Sequence, residues 1–255
     1  MIKRKSAREI EMMRNAGVIA ALARNLAGKL VTVGATTRSI DRAIHEFLKA
    51  QGAKPTFLGY KDFPASICIS VNDEVIHGIP STRKLQNGDI VSIDIGATKS
   101  GYIGDCAASF IAGTGSEESK RLIKVTRECF YECLKYAKAG NRVSDISRAI
   151  QEHAETNGFS VVREYTGHGV GTKLHETPSV PNYVAKPREG PDPRLIPGMT
   201  LAIEPMVNAG GAEIEVLEDG WTVKTADRQN SAHYENTILI TDGEPEILTF
   251  CEGMP

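Results

Sequence analysis

Two stretches of the chain carry the same helical stripe. GATTRSIDRAIHEFLKAQG (34–52) and GNRVSDISRAIQEHAETNG (140–158) match at seven of nineteen positions when slid by 106 residues. The matches include Ile40/Ile146, Arg42-Ala43-Ile44/Arg148-Ala149-Ile150 and the bracketing glycines. Each reads as an amphipathic helix with serine or aspartate near its start and glycine just past its end. Another helical stretch precedes each copy, over about 6–29 and 116–138.

Beyond each helix pair the period falls to two. In IVSIDIGATKSGYIGDCAASF (90–110), Val91, Ile93 and Ile95 point one way and Ser92 and Asp94 the other. Ile103, Asp105 and Ala107 share a face of the returning strand. Thr98-Lys99-Ser100-Gly101 predicts the turn. With Lys99 and Ser100 at its centre, Asp94 lies directly across from Asp105. Opposed side chains in such a ladder sit roughly 4.5–5.5 Å apart at Cβ, where like charges destabilise. Two acids facing each other among apolar neighbours need a shared proton or a cation, unless the hairpin is solvated.

The strands repeat as the helices do. LQNGDIVSID (85–94) resembles LIPGMTLAIE (195–204), aligning Asp94 with Glu204. His77-Gly78-Ile79 resembles His168-Gly169-Val170. In HYENTILIT (233–241) Glu235, Thr237 and Leu239 share a face, so Glu235 takes the place of Asp105. Duplication on this scale predicts an α+β fold with a pseudo-twofold axis, each half pairing two helices with a curved antiparallel sheet. The expected organisation is a single domain over 1–255, with halves of about 1–115 and 116–255. KPREGPDPRLIPG (186–198) is expected to be a Pro-rich surface loop.

Composition narrows the class. At 255 residues and a net charge of −2, nothing in the overall balance points to nucleic acid. Lys3, Arg4, Lys5 and Arg8 gather at the start and suggest a solvated tail, with a ribosome or RNA contact as the alternative. The apolar run from Ala16 to Ala23 is flanked by charges and suits a first amphipathic helix better than a signal peptide. No stretch is long enough to cross a membrane. Five cysteines (Cys68, Cys106, Cys129, Cys133, Cys251), odd in number and without a CxxC pair, suit a reduced, cytoplasmic protein.

The twofold would bring four strand-borne carboxylates to one cleft, and each uncompensated ion would cost several kcal/mol. Two divalent cations would neutralise them. Hard oxygen ligands with one imidazole suit manganese, iron, cobalt or zinc. His168, in the glycine-flanked TGHGVG, is the natural nitrogen ligand. A bridged pair of ions activates water and stabilises an oxyanion, which is hydrolytic chemistry. His77 and His175 are then left to hydrogen-bond a substrate amide or oxyanion. His45, His153 and His233 read as packing or surface residues.

With that set in hand, the chain resembles the methionine aminopeptidases of the short type I form. The likeness rests on SICISVNDEVIHGIP, VSIDIGATKSGYIGD, GHGVGTKLHETPSVPNY, TLAIEPM and HYENTILIT. It implies a pita-bread fold and removal of the initiator methionine from nascent polypeptides whose second residue is small. By position, Asp94 would hold one metal, His168 and Glu204 the other, and Asp105 and Glu235 would bridge both. Glu204 would also shuttle protons. His77 would contact the substrate near its amine and scissile amide, and His175 the carbonyl oxygen. Family pocket positions fall on Phe57, Tyr60, Phe63, Cys68, Leu174 and Trp221, an aromatic and sulfur-lined surface suited to a thioether. Leu174 stands where the family often has an aromatic, and Phe57 where it often has cysteine. Asn72 and Ser231 are candidates for a monovalent-cation site. The expected protein is a monomer. Prolidase-like Xaa-Pro peptidases share the ligand pattern but usually carry an added N-terminal domain. A non-catalytic peptide-binding module would not keep the whole ligand set.

Overall fold

A computed structural model describes residues 2–186 and 190–253. Residues 187–189 of the expected Pro-rich loop lie outside it. Helix α1 (Ala7–Leu30) starts at a capping box in which Ser6 and Glu9 satisfy each other's backbone N–H groups. Its inner face is small, with Ala16, Gly17, Ala20 and Ala21 fully or nearly fully buried. That lets the helix lie against the first hairpin: a Cβ at Gly104 would sit 2.4 Å from the Gly17 Cα. α2 (Thr37–Ala50) is capped by Thr36. α3 (Glu117–Leu134) is capped by Ser116 and stops four residues before the predicted 138. In α4 (Val143–Thr156) the Asp145 side chain accepts from the Arg142 backbone N–H. Gly52 and Gly158 follow α2 and α4 with φ of 63° and 76°, the left-handed conformation that ends a helix at little cost.

The main sheet has nine strands, all paired antiparallel. Its centre runs Ile90–Lys99, Tyr102–Ile111, Glu235–Leu239, Thr200–Ile203. The two copies meet at the middle seam, where Glu235 pairs with Ala107 and Asn236 with Cys106. Outside them Cys68–Val71 flanks Ile90–Lys99, as Thr166–Gly169 flanks Thr200–Ile203. α1 and α2 cover the first copy through Ala20, Ala23, Ile40, Ile44 and Leu48, and α3 and α4 the second through Phe130, Ile146 and Ile150. This is the expected α+β, pita-bread architecture.

Three expectations need correction. The hairpin turns on Ser100 and Gly101, both with positive φ (52° and 81°) as a type I′ turn demands. Asp94 therefore pairs with Ala107, and Asp105 with Gly96. The slip is two residues, so both acids keep the same face and sit diagonally rather than opposed. Second, with Asp94 and Glu204 as equivalents, His168 pairs with Ala202 in the position where Ser70 pairs with Ser92. Ser70, not His77, is the sheet counterpart of His168. Third, the basic start is docked. Lys5 makes a buried ion pair with Glu176 at 2.8 Å, its backbone N–H donates to the Gly198 carbonyl, and Arg4 donates to that of Pro197.

Candidate metal centre and substrate cavity

Strands from both copies aim acids at one point. Asp105, His168 and Glu235 each offer a donor atom, all within 4.8 Å of one another. The His168 Nε2 is 3.4 Å from Glu204 and 3.8 Å from Asp105. His168 Nδ1 lies 2.9 Å from the Gly169 carbonyl, which can only accept, so Nδ1 carries the proton and Nε2 faces the acids with a lone pair. Burial keeps this imidazole neutral, its pKa lowered to about 4. A lone pair aimed at carboxylate oxygens is repulsive unless a cation or a shared proton lies between.

The acids point to the same conclusion. Oδ1 of Asp94, Oδ1 of Asp105 and Oε1 of Glu235 are buried without a hydrogen-bond partner. Burial, then mutual repulsion, holds Asp105, Glu204 and Glu235 well above the usual carboxylate range, and burial lifts Asp94 to about 7. Orphaned oxygens beside an unprotonated imidazole are a donor set without its acceptor, which fits divalent cations of the nitrogen-and-oxygen-loving kind.

A buried network fixes the two central acids. The Thr237 hydroxyl donates to the Asp105 carbonyl at 2.9 Å and accepts from its N–H at 3.1 Å. Thr249 accepts from the Thr237 N–H and donates to the Asn236 side chain. Arg24, fully buried on α1, donates to that same Asn236 oxygen and to the Glu235 carbonyl. Helix, C-terminal segment and both halves are thus tied to one pair of strands.

Above the acids opens a cavity of about 230 Å³. Every catalytic, ligand and pocket residue expected from the sequence lines it, while Asn72 and Ser231 lie outside it. The candidate ligands and His77 and His175 are there, as are Phe57, Tyr60, Phe63, Cys68, Leu174 and Trp221. Phe63 packs edge-on to Trp221 at 5.0 Å, and His77 lies edge-on to both Tyr165 and Trp221. The Tyr60 hydroxyl is 2.8 Å from His175 Nδ1. Burial depresses the pKa of His175, and that of His77 to about 4, so both are neutral near pH 7.

Sequence reasoning missed Lys61, Ile76, Tyr165 and Thr166, which line the same cavity. It also passed over His233, buried with its Nε2 4.0 Å from Glu204. Its place two residues before Glu235 was the available signal. His45 meets Ser66, and His153 meets Glu128, away from the cavity. Ser231 donates its backbone N–H to the Asn72 carbonyl, so the two suggested cation-site residues do adjoin.

A duplicated antiparallel fold with an acid-rich, single-imidazole centre under an apolar cavity defines a metallohydrolase. Residues 11–242 match the profile of Metallopeptidase family M24. Methionine aminopeptidase 1 of Bacillus subtilis is 51% identical over 249 residues, covering 98% of this chain and 99% of its own. The crystal structure of methionine aminopeptidase from Thermotoga maritima superimposes with a TM-score of 0.94 at 45% identity, over 98% of this chain and 99% of that one. Prolidase from Pyrococcus furiosus shares the fold at a TM-score of 0.79 and 23% identity, but this chain covers only 66% of it. The chain belongs to metallopeptidase family M24, on its methionine aminopeptidase branch. Among the described residues no helix is long and apolar enough to cross a membrane.

Proposed function

We propose that the protein removes the initiator methionine from nascent polypeptides whose second residue is small. It would do so in the cytoplasm, as a monomeric type I enzyme whose single catalytic domain is built from two duplicated halves. The observation that carries this is the convergence of four acids, two buried and two half-buried, and one neutral imidazole on the floor of an aromatic and sulfur-lined cavity. Asp94, Asp105, His168, Glu204 and Glu235 would hold two divalent ions, manganese, iron, cobalt or zinc, with Asp105 and Glu235 shared between them. When bound, such ions supply activated water and polarise the scissile carbonyl.

The chain's own groups do the rest. Phe57, Phe63, Cys68, Leu174 and Trp221 surround the methionine side chain, and a bulky second residue would crowd the acids. The Tyr60 hydroxyl and His175 Nδ1 share a hydrogen bond, and in the tautomer where Tyr60 donates, the proton of that neutral ring sits on Nε2. From there it can donate to the carbonyl oxygen as negative charge grows on it. His77, wedged between aromatic rings and kept neutral, is placed to bond the substrate near its amine and amide. Glu204, its carboxylate 3.4 Å from the His168 ring, is the acid placed to take a proton from the attacking water and return it to the leaving amine.

Purified protein supplied with manganese or cobalt should release methionine from Met-Ala and Met-Gly peptides and leave Met-Lys intact. Cleavage of Xaa-Pro peptides without methionine release would turn the assignment to a prolidase-like enzyme.

A further inference from the structure

Charge is unevenly placed around the cavity. Acids make its floor, while its mouth carries one cation: Lys61 is the sole lysine or arginine among the lining residues. Lys61 is exposed, and among the described residues no acid pairs with it. Its Nζ stands 5.6 Å from the centroid of the Tyr60 ring. The neighbouring acids Asp62 and Glu164 do not line the cavity.

The loop holds this lysine in an unusual posture. Lys61 and Asp62 both have left-handed backbones, φ 47° and 70°, which residues other than glycine rarely adopt. Bonds from the Gly59 N–H to the Phe63 carbonyl and from the Tyr60 N–H to the Phe57 carbonyl close the loop beneath them. Phe57 and Phe63 anchor its ends in the core. Strained backbone of this kind persists where surrounding contacts over-determine it, commonly at ligand clamps.

Lys61 also stands near both candidate catalytic histidines, one from each half. Its charge helps to depress the pKa of His77 and that of His175. A peptide whose first residue fills the cavity and whose scissile amide lies between those histidines must leave through the mouth, past this ammonium.

Resting on the aminopeptidase reading, we infer that Lys61 selects substrates by the charge that follows the scissile bond. It favours peptides with aspartate or glutamate at the third or fourth position and disfavours lysine or arginine there.

The test compares Met-Gly-Asp-Gly, Met-Gly-Gly-Gly and Met-Gly-Lys-Gly on the manganese-loaded enzyme. The Asp peptide should exceed the Lys peptide in kcat/KM by roughly two- to fivefold, the range of an exposed ion pair, with most of the difference in KM. Salt at about 1 M, where the Debye length is ~3 Å, should erase the ratio. Lys61→Arg should keep the preference, Lys61→Gln should level it and Lys61→Glu should reverse it, which a merely structural loop residue would not do. Equal kcat/KM for the three peptides on the wild-type enzyme, or an unchanged ratio in Lys61→Gln, would overturn the inference and leave the aminopeptidase intact. Release of methionine from none of them would overturn both.

Discussion

The two halves bring acids to the same centre by different means. In the first, the short side chains of Asp94 and Asp105 sit diagonally across a hairpin whose ladder pairs Asp94 with Ala107. In the second, the ladder between Thr200–Ile203 and Glu235–Leu239 ends at Ile203 and Asn236, one step before the longer Glu204 and Glu235. The flanking strands differ too: Ser70 stands in the first where His168 stands in the second. The halves share a symmetric frame, but the centre is lopsided, with Ser70 at one end where His168 stands at the other. A lopsided centre can bind an amine at one end and orient a carbonyl at the other.

The largest effect should come from the seam, where the halves are equivalent. Asp105→Ala and Glu235→Ala should each abolish turnover and weaken metal binding measured by calorimetry, because on the proposed reading each acid would be shared by both ions. Retained activity in either would break the equivalence. Next come the histidines above the seam. His175→Ala should lower kcat by about 10²–10³-fold, the loss seen when one oxyanion donor is removed. Tyr60→Phe should cost less, since it removes one bond to the His175 ring and leaves the ring in place.

Asymmetry should also appear in the network behind the acids. Thr237 bonds the Asp105 backbone through its hydroxyl and reaches Asn236 through Thr249. Thr237→Val keeps the shape but removes that hydroxyl, so metal affinity should fall about 10–100-fold, as for other groups that orient ligands. An unchanged affinity would mean that the strands alone set the geometry.

Acidity offers a test of the centre as a whole. The four acids have folded-state pKa values above their unfolded ones, Asp94 reaching about 7. The metal-free folded state thus binds more protons than the unfolded state, and its stability falls as pH rises from about 4 through 7. Bound cations remove that penalty. Thermal melts should show the gap in Tm between metal-loaded and metal-free protein widening from pH 5 to pH 8; a constant gap would count against the cluster as the origin.

How much of this was legible beforehand follows from what periodicity records. The helix pairs and their glycine stops were readable because capping and a 3.6-residue stripe are local, and the acids because they interrupt apolar strands. The hairpin register was not, since choosing Ser100-Gly101 over Lys99-Ser100 depends on which residues tolerate positive φ. The face survived only because the slip was even. Ser70 as the counterpart of His168 was hidden because the loops that follow differ in length between halves. His233 and Lys61 were missed for a related reason: their role comes from strands and loops distant in sequence.

The smallest effect tests how each half is packed rather than what it binds. In the first half, α1 meets the hairpin backbone to backbone, and a methyl at Gly104 would lie 2.4 Å from the Gly17 Cα. Neither partner has a side chain that can turn aside, so α1 itself must move. In the second half, α3 is held off by Phe130, which meets Tyr131 and Tyr234 edge-on or tilted. Rings of that kind can adjust. Gly104→Ala should therefore cost about 1–3 kcal/mol of stability, the usual range for overpacking. Methionine release at 25 °C should persist, because Asp105 is also fixed by Thr237. The opposite result, full stability with lost activity, would mean that α1 yields and drags Arg24 off Glu235, making the helix part of the site rather than its support.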